Sequence, residues 1–257
     1  MLLAINANNT NTVFAIWEGA DLKGSWRTAT EGKRTADEYV VWLDHLLALE
    51  GLARSDVDGA VIASVVPEAN FNLRRLCREY CRSDPLVVGE PDVAIGARAL
   101  VDRPEEVGAD RLVNTVAAHD RYKGPLIVVD FGTATTFDVV DADGNYRGGV
   151  IAPGINLSLQ ALAMAAAKLP SVPIARTEKV IGTSTVACMQ SGIFWGYVGL
   201  VEGLVDRIKR EYGAPMAVVS TGGLAPLFDG ATRVINHVDA ELTLWGLRLI
   251  YRRNINQ

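Results

Sequence analysis

Cysteine is scarce, and what there is does not pair. The 257-residue chain has three, Cys77, Cys81 and Cys188. The odd count, and the four-residue spacing of Cys77 and Cys81 in a helix-like segment, argue against a disulfide framework, and no histidine-rich cluster stands near to complete a zinc site. These thiols read as buried or idle ones in a reducing compartment. Histidine is as rare: His45, His119 and His237 are scattered and read as structural. No apolar run is long enough to span a bilayer, and the N-terminus lacks a charged-then-apolar signal pattern, so a cytoplasmic location and no membrane partner are expected. A formal net charge of −5 is too mild, and of the wrong sign, for nonspecific nucleic-acid binding. A Walker loop, a nucleophile elbow and a Rossmann fingerprint are all missing.

What is present suits a globular chain, with 49% apolar and 21% charged residues and length for one large or two modest cores. The organising stretch is Pro125–Asp138, PLIVVDFGTATTFD. Its apolar run Leu126–Val129, bounded by Gly124-Pro125, reads as a buried strand ending in Asp130. Gly132 and Thr133, Thr135 and Thr136 read as a tight turn where backbone N–H groups and hydroxyls can meet an anion. A carboxylate at the strand end can hold a cation against phosphate oxygens. An ordinary β-hairpin with polar turn residues would look much the same. The chain's start has a related order: apolar Leu2–Ala7, polar Asn8-Asn9-Thr10-Asn11-Thr12, then strands Val13–Trp17 and Leu22–Arg27.

Thr35 with Glu38 forms a capping box ahead of an amphipathic helix running to Gly51. A strand Val61–Val66 stops at Pro67. Gly108-Ala109-Asp110-Arg111 opens a helix reaching about Tyr122. Asp110 there either complements the helix end or faces a cleft as a general base, with Arg111 beside it for a substrate anion. Gly148–Gly154 is expected to join a strand to an Ala-rich helix, Ile155–Ala167, and Lys168–Lys179 to be a Pro-interrupted loop. A long helix over about Val186–Tyr212 carries Gly192, Gly196, Gly199 and Gly203, a spacing that suits close helix packing, also between subunits. Met216–Ser220 is a strand with Thr221-Gly222-Gly223 at its end, placed for a nucleotide. The basic Arg248–Arg253 end of the last helix reads as a solvated face. The two halves repeat one element order, which divides the chain into residues 1–122 and 123–257, an α/β domain pair with a cleft between.

The motifs NANNT (Asn6–Thr10), SVVP (Ser64–Pro67), GADRLVN (Gly108–Asn114), DFGTATTFD, GGVIAPG and TGG, in this order over essentially the whole chain, resemble the type III pantothenate kinase family. GADR together with DFGTATTFD is quite specific. The resemblance implies the actin-like, sugar-kinase and Hsp70 fold of two RNase H-like domains. It implies phosphorylation of pantothenate by ATP, the first step of coenzyme A synthesis, with Mg²⁺, a monovalent cation (K⁺ or NH₄⁺) and a homodimer. By motif, Asp110 matches the catalytic base, and Gly108, Arg111 and Thr185 match the pantothenate pocket. Asp130 matches the acid that binds the monovalent cation. Gly132, Thr133, Thr135 and Thr136 lie in the second phosphate motif, Asn6, Asn8, Asn9 and Thr10 in the first, and Gly222 and Gly223 on the nucleotide side.

Some positions depart from the family's pattern. Where the family reads Asp-x-Gly-Asn-Thr, this chain has Asn6 for the acid and Asn8 for the glycine. Asn6 keeps one acceptor but loses the charge that divalent cations favour, a weakened metal site. Ser184 stands where many relatives carry an acid, and Val101 where some carry an aromatic residue in the pocket. Three functions therefore compete: a working pantothenate kinase, a catalytically impaired homologue acting as a ligand sensor or regulator, and a kinase for another acceptor. The surviving pocket motifs favour the first.

Overall fold

Leu2–Ala7 (β1) is buried at all six positions, as a strand flanked on both edges and covered on both faces must be. It pairs antiparallel with Asn11–Glu18 (β2) and parallel with Gly59–Ser64 (β4). Asp21–Ala29 (β3) and Leu86–Val87 (β5) complete a sheet of order β3-β2-β1-β4-β5. β3 alternates exposed and half-buried residues, as an edge strand does. Ala36–Leu49 (α1) starts at the expected capping box: the Glu38 N–H donates to Thr35 Oγ1 at 3.3 Å and the Thr35 N–H to Glu38 Oε2 at 2.8 Å.

This computed structural model describes residues 1–165, 170 and 172–255. It divides into two compact units, Met1–Asp120 with Glu241–Gln257, and Arg121–Ala240. The expected division at 122/123 differs from this by the last helix, Leu242–Ile255 (α7), whose Leu244, Leu247 and Ile250 share a core with β1, β4 and Ala109–Tyr122 (α3). The basic end of α7 is only partly solvated. Arg248 is 3% exposed; its guanidinium lies over the rings of Trp17 and Trp245, and its Nε donates to the Gly19 carbonyl.

In the second unit, Leu126–Phe131 (β6) takes the place of β1. It pairs antiparallel with Ala134–Val140 (β7) and parallel with Ala217–Thr221 (β9). Tyr146–Pro153 (β8) and His237–Val238 (β10) give the order β10-β9-β6-β7-β8, the first sheet's order repeated strand for strand. The stretch expected to lead out of a strand, Gly148–Pro153, is itself part of β8. Phe194, Tyr197, Val198, Val201 and Val205 of Thr185–Tyr212 (α5) pack on Ile127, Val129, Phe131 and Phe137. Ile155–Ala165 (α4) is the expected Ala-rich helix; Ala166 and Ala167, and Lys168, Leu169 and Ser171 of the expected loop, lie outside the described residues. Gly192, Gly196 and Gly199 face open space, so the glycine spacing of α5 serves no packing within the described unit. Cys77 and Cys81 are free and buried, and burial raises both thiols, Cys81 to about 11.

Candidate active site

The common register of the two sheets aligns them residue by residue. Asn6 sits between Val13 and Ala63, and Asp130 between Thr136 and Thr221, so Asn6 holds in the first sheet the place of Asp130 in the second. Beyond each lies a strand-to-strand loop. The first is closed by the Asn8 N–H donating to the Asn11 carbonyl at 3.0 Å, and the second by the Gly132 N–H donating to Ala134 at 3.0 Å. Asn9, Thr10, Gly132 and Thr133 are exposed at the tips. Asn6 is 5% exposed, and the side-chain oxygens of Asn6 and Asn8 are both buried without a hydrogen-bond partner.

The motifs of the first unit meet at this loop. The Val65 N–H donates to the Ala7 carbonyl at 3.0 Å, which places SVVP alongside the loop. A Cβ at Gly108 would lie 2.7 Å from Asp110 Oδ1 and 3.7 Å from Val65, so only glycine lets Asp110 fold back over the turn. Asp110 Oδ1 accepts from the Arg111 N–H at 2.9 Å. Burial raises the Asp110 carboxyl above its ordinary value, against the lowering effect of that N–H and of the Arg111 charge. A carboxylate stripped of water at a helix start is a stronger base than a solvated one. Val101 is half-buried in the connector before Pro104.

In the second unit Asp130, Gly132, Thr133 and Gly222 come together. Gly222, at φ +91°, closes over Asp130: a Cβ there would lie 2.5 Å from Asp130 Oδ1 and 2.6 Å from the Phe131 carbonyl oxygen. Its bareness is thus required by the carboxylate, independently of any nucleotide. Gly223 beside it is exposed. Thr136 is half-buried and its hydroxyl donates to Asp138 Oδ2 at 3.0 Å. Thr135 lies on the α5 side of the strand. It is 1% exposed and its hydroxyl bonds that of Tyr197, which also donates to the Pro153 carbonyl at 3.1 Å. Strand alternation sends Thr135 to the α5 side and Thr136 to the other, so Thr135 braces the loop from behind.

Thr185 is the first residue of α5. Ser184 is the N-cap, accepting from the Ala187 N–H at 3.2 Å, a task an acid in its place would also perform. Thr183, Ser184, Thr185 and Cys188 line a groove of about 880 Å³ with Leu162.

A family profile described as type III pantothenate kinase matches residues 2–207. A type III pantothenate kinase of Paramagnetospirillum magneticum is 66% identical over 99% of this chain and 98% of its own length. The chain belongs to the type III pantothenate kinase family. A second member, from Rhodospirillum rubrum, is 63% identical over 99% of both chains. Among solved structures, the activator of 2-hydroxyisocaproyl-CoA dehydratase from Clostridium difficile aligns with a TM-score of 0.55 at 14% identity, over 99% of this chain and 96% of the other. The ROK hexokinase of Thermus thermophilus aligns with 0.52 at 13%, over 99% of each. The fold is accordingly the actin-like, sugar-kinase one, two RNase H-like domains. Nothing in these likenesses supports the catalytically impaired alternative.

The residues present fit the cations a family of ATP-dependent kinases calls for. Asp130 supplies an anionic oxygen, and Asn6 and Asn8 supply two buried acceptor oxygens that have no hydrogen-bond partner among the described residues. Leaving such an oxygen unpaired costs about 1–3 kcal/mol, which a cation or cation-bound water would relieve. Oxygen donors suit Mg²⁺ rather than softer metals. Sequence reading passed over Tyr197, which braces Thr135, and Asp138, which lies inside DFGTATTFD and read only as part of an apolar stretch.

Proposed function

We propose that the protein transfers the γ-phosphoryl group of ATP to the terminal hydroxyl of pantothenate, giving 4′-phosphopantothenate at the start of coenzyme A synthesis. The observation that carries this reading is the GADR turn in a member of this family. Asp110 is held by the Arg111 N–H, and burial raises its carboxyl above the ordinary value, which strengthens it as a base. Asp110 takes the proton of the attacking hydroxyl. Arg111, with Gly108, Val101 and Thr185, receives the acceptor, its guanidinium meeting the pantothenate carboxylate. Bare backbone at Gly132 and Thr133, and at Asn9 and Thr10, faces phosphate oxygens, and Gly222 and Gly223 the nucleoside side. Asp130 holds a monovalent cation and Asn6 a divalent one more weakly than an acid would; bound there, these cations neutralise phosphate charge. Such a reaction needs positioning and charge neutralisation more than covalent help from the protein.

A cytoplasmic homodimer fits the same reading. No helix among the described residues is long and apolar enough to cross a membrane. The open glycine face of α5, with the exposed Leu157, Leu162 and Met164 of α4, offers a surface for a second copy. Calorimetric titration with Mg²⁺-ATP, with and without pantothenate and K⁺, followed by a turnover assay, tests the assignment. ATP binding with turnover of pantothenate is expected; a folded protein that turns over only another alcohol, or nothing, overturns it. Asn6→Asp with Asn8→Gly is expected to raise ATP affinity or turnover by restoring the lost charge and the bare loop. No gain in either would show that these positions do not limit activity.

A further inference from the structure

The duplicated frame allows the demands of the fold to be subtracted from those of the site. Residues directly opposed on neighbouring strands share a face, as do alternate residues along one strand. Around Asn6 the first sheet therefore groups Val13, Ala63 and Ala15, the last opposite Ala4. Around Asp130 the second sheet groups Thr136, Thr221 and Asp138, the last opposite Val128. Three places that are apolar in one unit are all polar in the other. The sheet does not require polarity there, and burial opposes it: Asp138 is 0% and Thr221 1% exposed. Buried polar groups in a strand interior are costly unless partnered, so three at once around one carboxylate point to a shared purpose.

The bond inside the group says what that purpose is. Thr136 Oγ1 donates its hydrogen to Asp138 Oδ2 at 3.0 Å. A threonine hydroxyl has one hydrogen and two lone pairs. With the hydrogen committed to Asp138, Thr136 shows only lone pairs to anything else, so it cannot donate to a phosphate oxygen. It can ligate a cation, or accept from cation-bound water. We propose that Asp138 is a positioning residue for a cation held at Asp130: by taking the hydroxyl hydrogen of Thr136 it turns Thr136 into an oxygen ligand, direct or through water, beside Asp130. This moves Thr136 from the phosphate side of the site to the cation side, and it depends on the kinase reading only in that Asp130 holds a cation.

The test uses the first unit's own solutions, Thr136→Val and Asp138→Ala, which the same sheet position already tolerates as Val13 and Ala15. Two readouts are taken on the full-length protein. One is the K⁺ concentration, and separately the Mg²⁺ concentration, giving half-maximal turnover with ATP and pantothenate. The other is the K⁺- or Mg²⁺-dependent rise in Tm with a non-hydrolysable ATP analogue. Both substitutions are expected to raise the requirement for one of the two cations by about tenfold or more, the usual effect of losing an oxygen ligand or the group that orients it. The other cation's requirement stays put, and Thr136→Ser behaves as wild type. The double variant should be no worse than Thr136→Val alone, because Asp138 acts through that hydroxyl. Wild-type cation requirements in Thr136→Val, a loss confined to Tm in Asp138→Ala, or additive losses in the double variant each overturn the proposal. So does a wild-type protein indifferent to both cations in both readouts. A wild-type protein whose Tm responds to the cation but which does not phosphorylate pantothenate would instead overturn the kinase reading and leave the cation site standing.

Discussion

At Asp110 the needs of catalysis and of stability pull apart. Its carboxyl titrates above the ordinary value of about 3.9 because burial disfavours the charged form. Between the unfolded and folded values the native state binds more protons, so Asp110 makes the protein less stable as pH rises through that window and remains unfavourable above it. As the proposed base, Asp110 must be deprotonated, so turnover is expected to fall as pH drops through the folded value. Asp110→Asn, which cannot ionise, is expected to lower kcat by about a hundredfold to ten-thousandfold while raising Tm at neutral pH. A kinetic pH profile and a thermal melt check the two halves. An unchanged kcat removes Asp110 from the role of base, and an unchanged or lowered Tm removes the burial argument. The residues that sequence made legible here were those whose chemistry is local. GADR is one turn of chain, and the Gly108–Asp110 contact spans two residues. DFGTATTFD does not say which side of the strand each threonine takes; the contact of Thr135 with Tyr197 of α5, 62 residues away, is what shows it.

Elements were read well wherever their ends carry their own chemistry. The Thr35–Glu38 box fixed the start of α1 without tertiary information, whereas Pro67, read as the stop of a strand, is the first residue of Pro67–Arg75 (α2). The long helix α5 begins one residue before the expected Val186, because Ser184 caps it. That cap also makes sense of Ser184 as a departure from an acid, since serine and aspartate perform the same task at an N-cap. Ser184→Ala is expected to destabilise the protein by about 1 kcal/mol, lowering Tm by roughly 2–4 °C. Ser184→Asp should hold Tm at or above wild type, its charge favourable at the helix start. If Ser184→Ala melts as wild type, the hydroxyl is not capping α5. If Ser184→Asp melts lower, the position is read by something other than the helix.

At the scale of the whole molecule, the repeat of strand order was visible in the chain and the route of its last helix was not. Hydrophobic periodicity announces that α7 is a helix, but it cannot say which sheet receives it. What decides is a set of contacts far apart in sequence. Thr243 Oγ1 donates to Asn114 Oδ1 at 2.7 Å, and Trp245 Nε1 to Asp120 Oδ2 at 2.9 Å. Gly246 lies so close to α3 that a Cβ there would run into the Val113 carbonyl. α7 is therefore part of the support of α3, the helix that carries Asp110 at its start. The family profile ends at residue 207, yet the first unit is incomplete without residues 241–257. Leu242, Leu244, Leu247 and Ile250 are all buried. Burial of four such side chains contributes about 6–12 kcal/mol at about 1.5–3 kcal/mol each, as much as the roughly 5–15 kcal/mol that separates folded from unfolded in ordinary domains. A chain ending at Ala240 is thus expected to lose the first unit's cooperative melt, to bind a hydrophobic dye, and to have no turnover. Gly246→Leu, which keeps every one of those apolar groups but forces α7 away from Val113, should retain much of the fold and lower kcat through Asp110. A truncated chain that still melts cooperatively with wild-type turnover would mean that α3 is held by β1 and β4 alone, and that α7 merely covers a surface already complete.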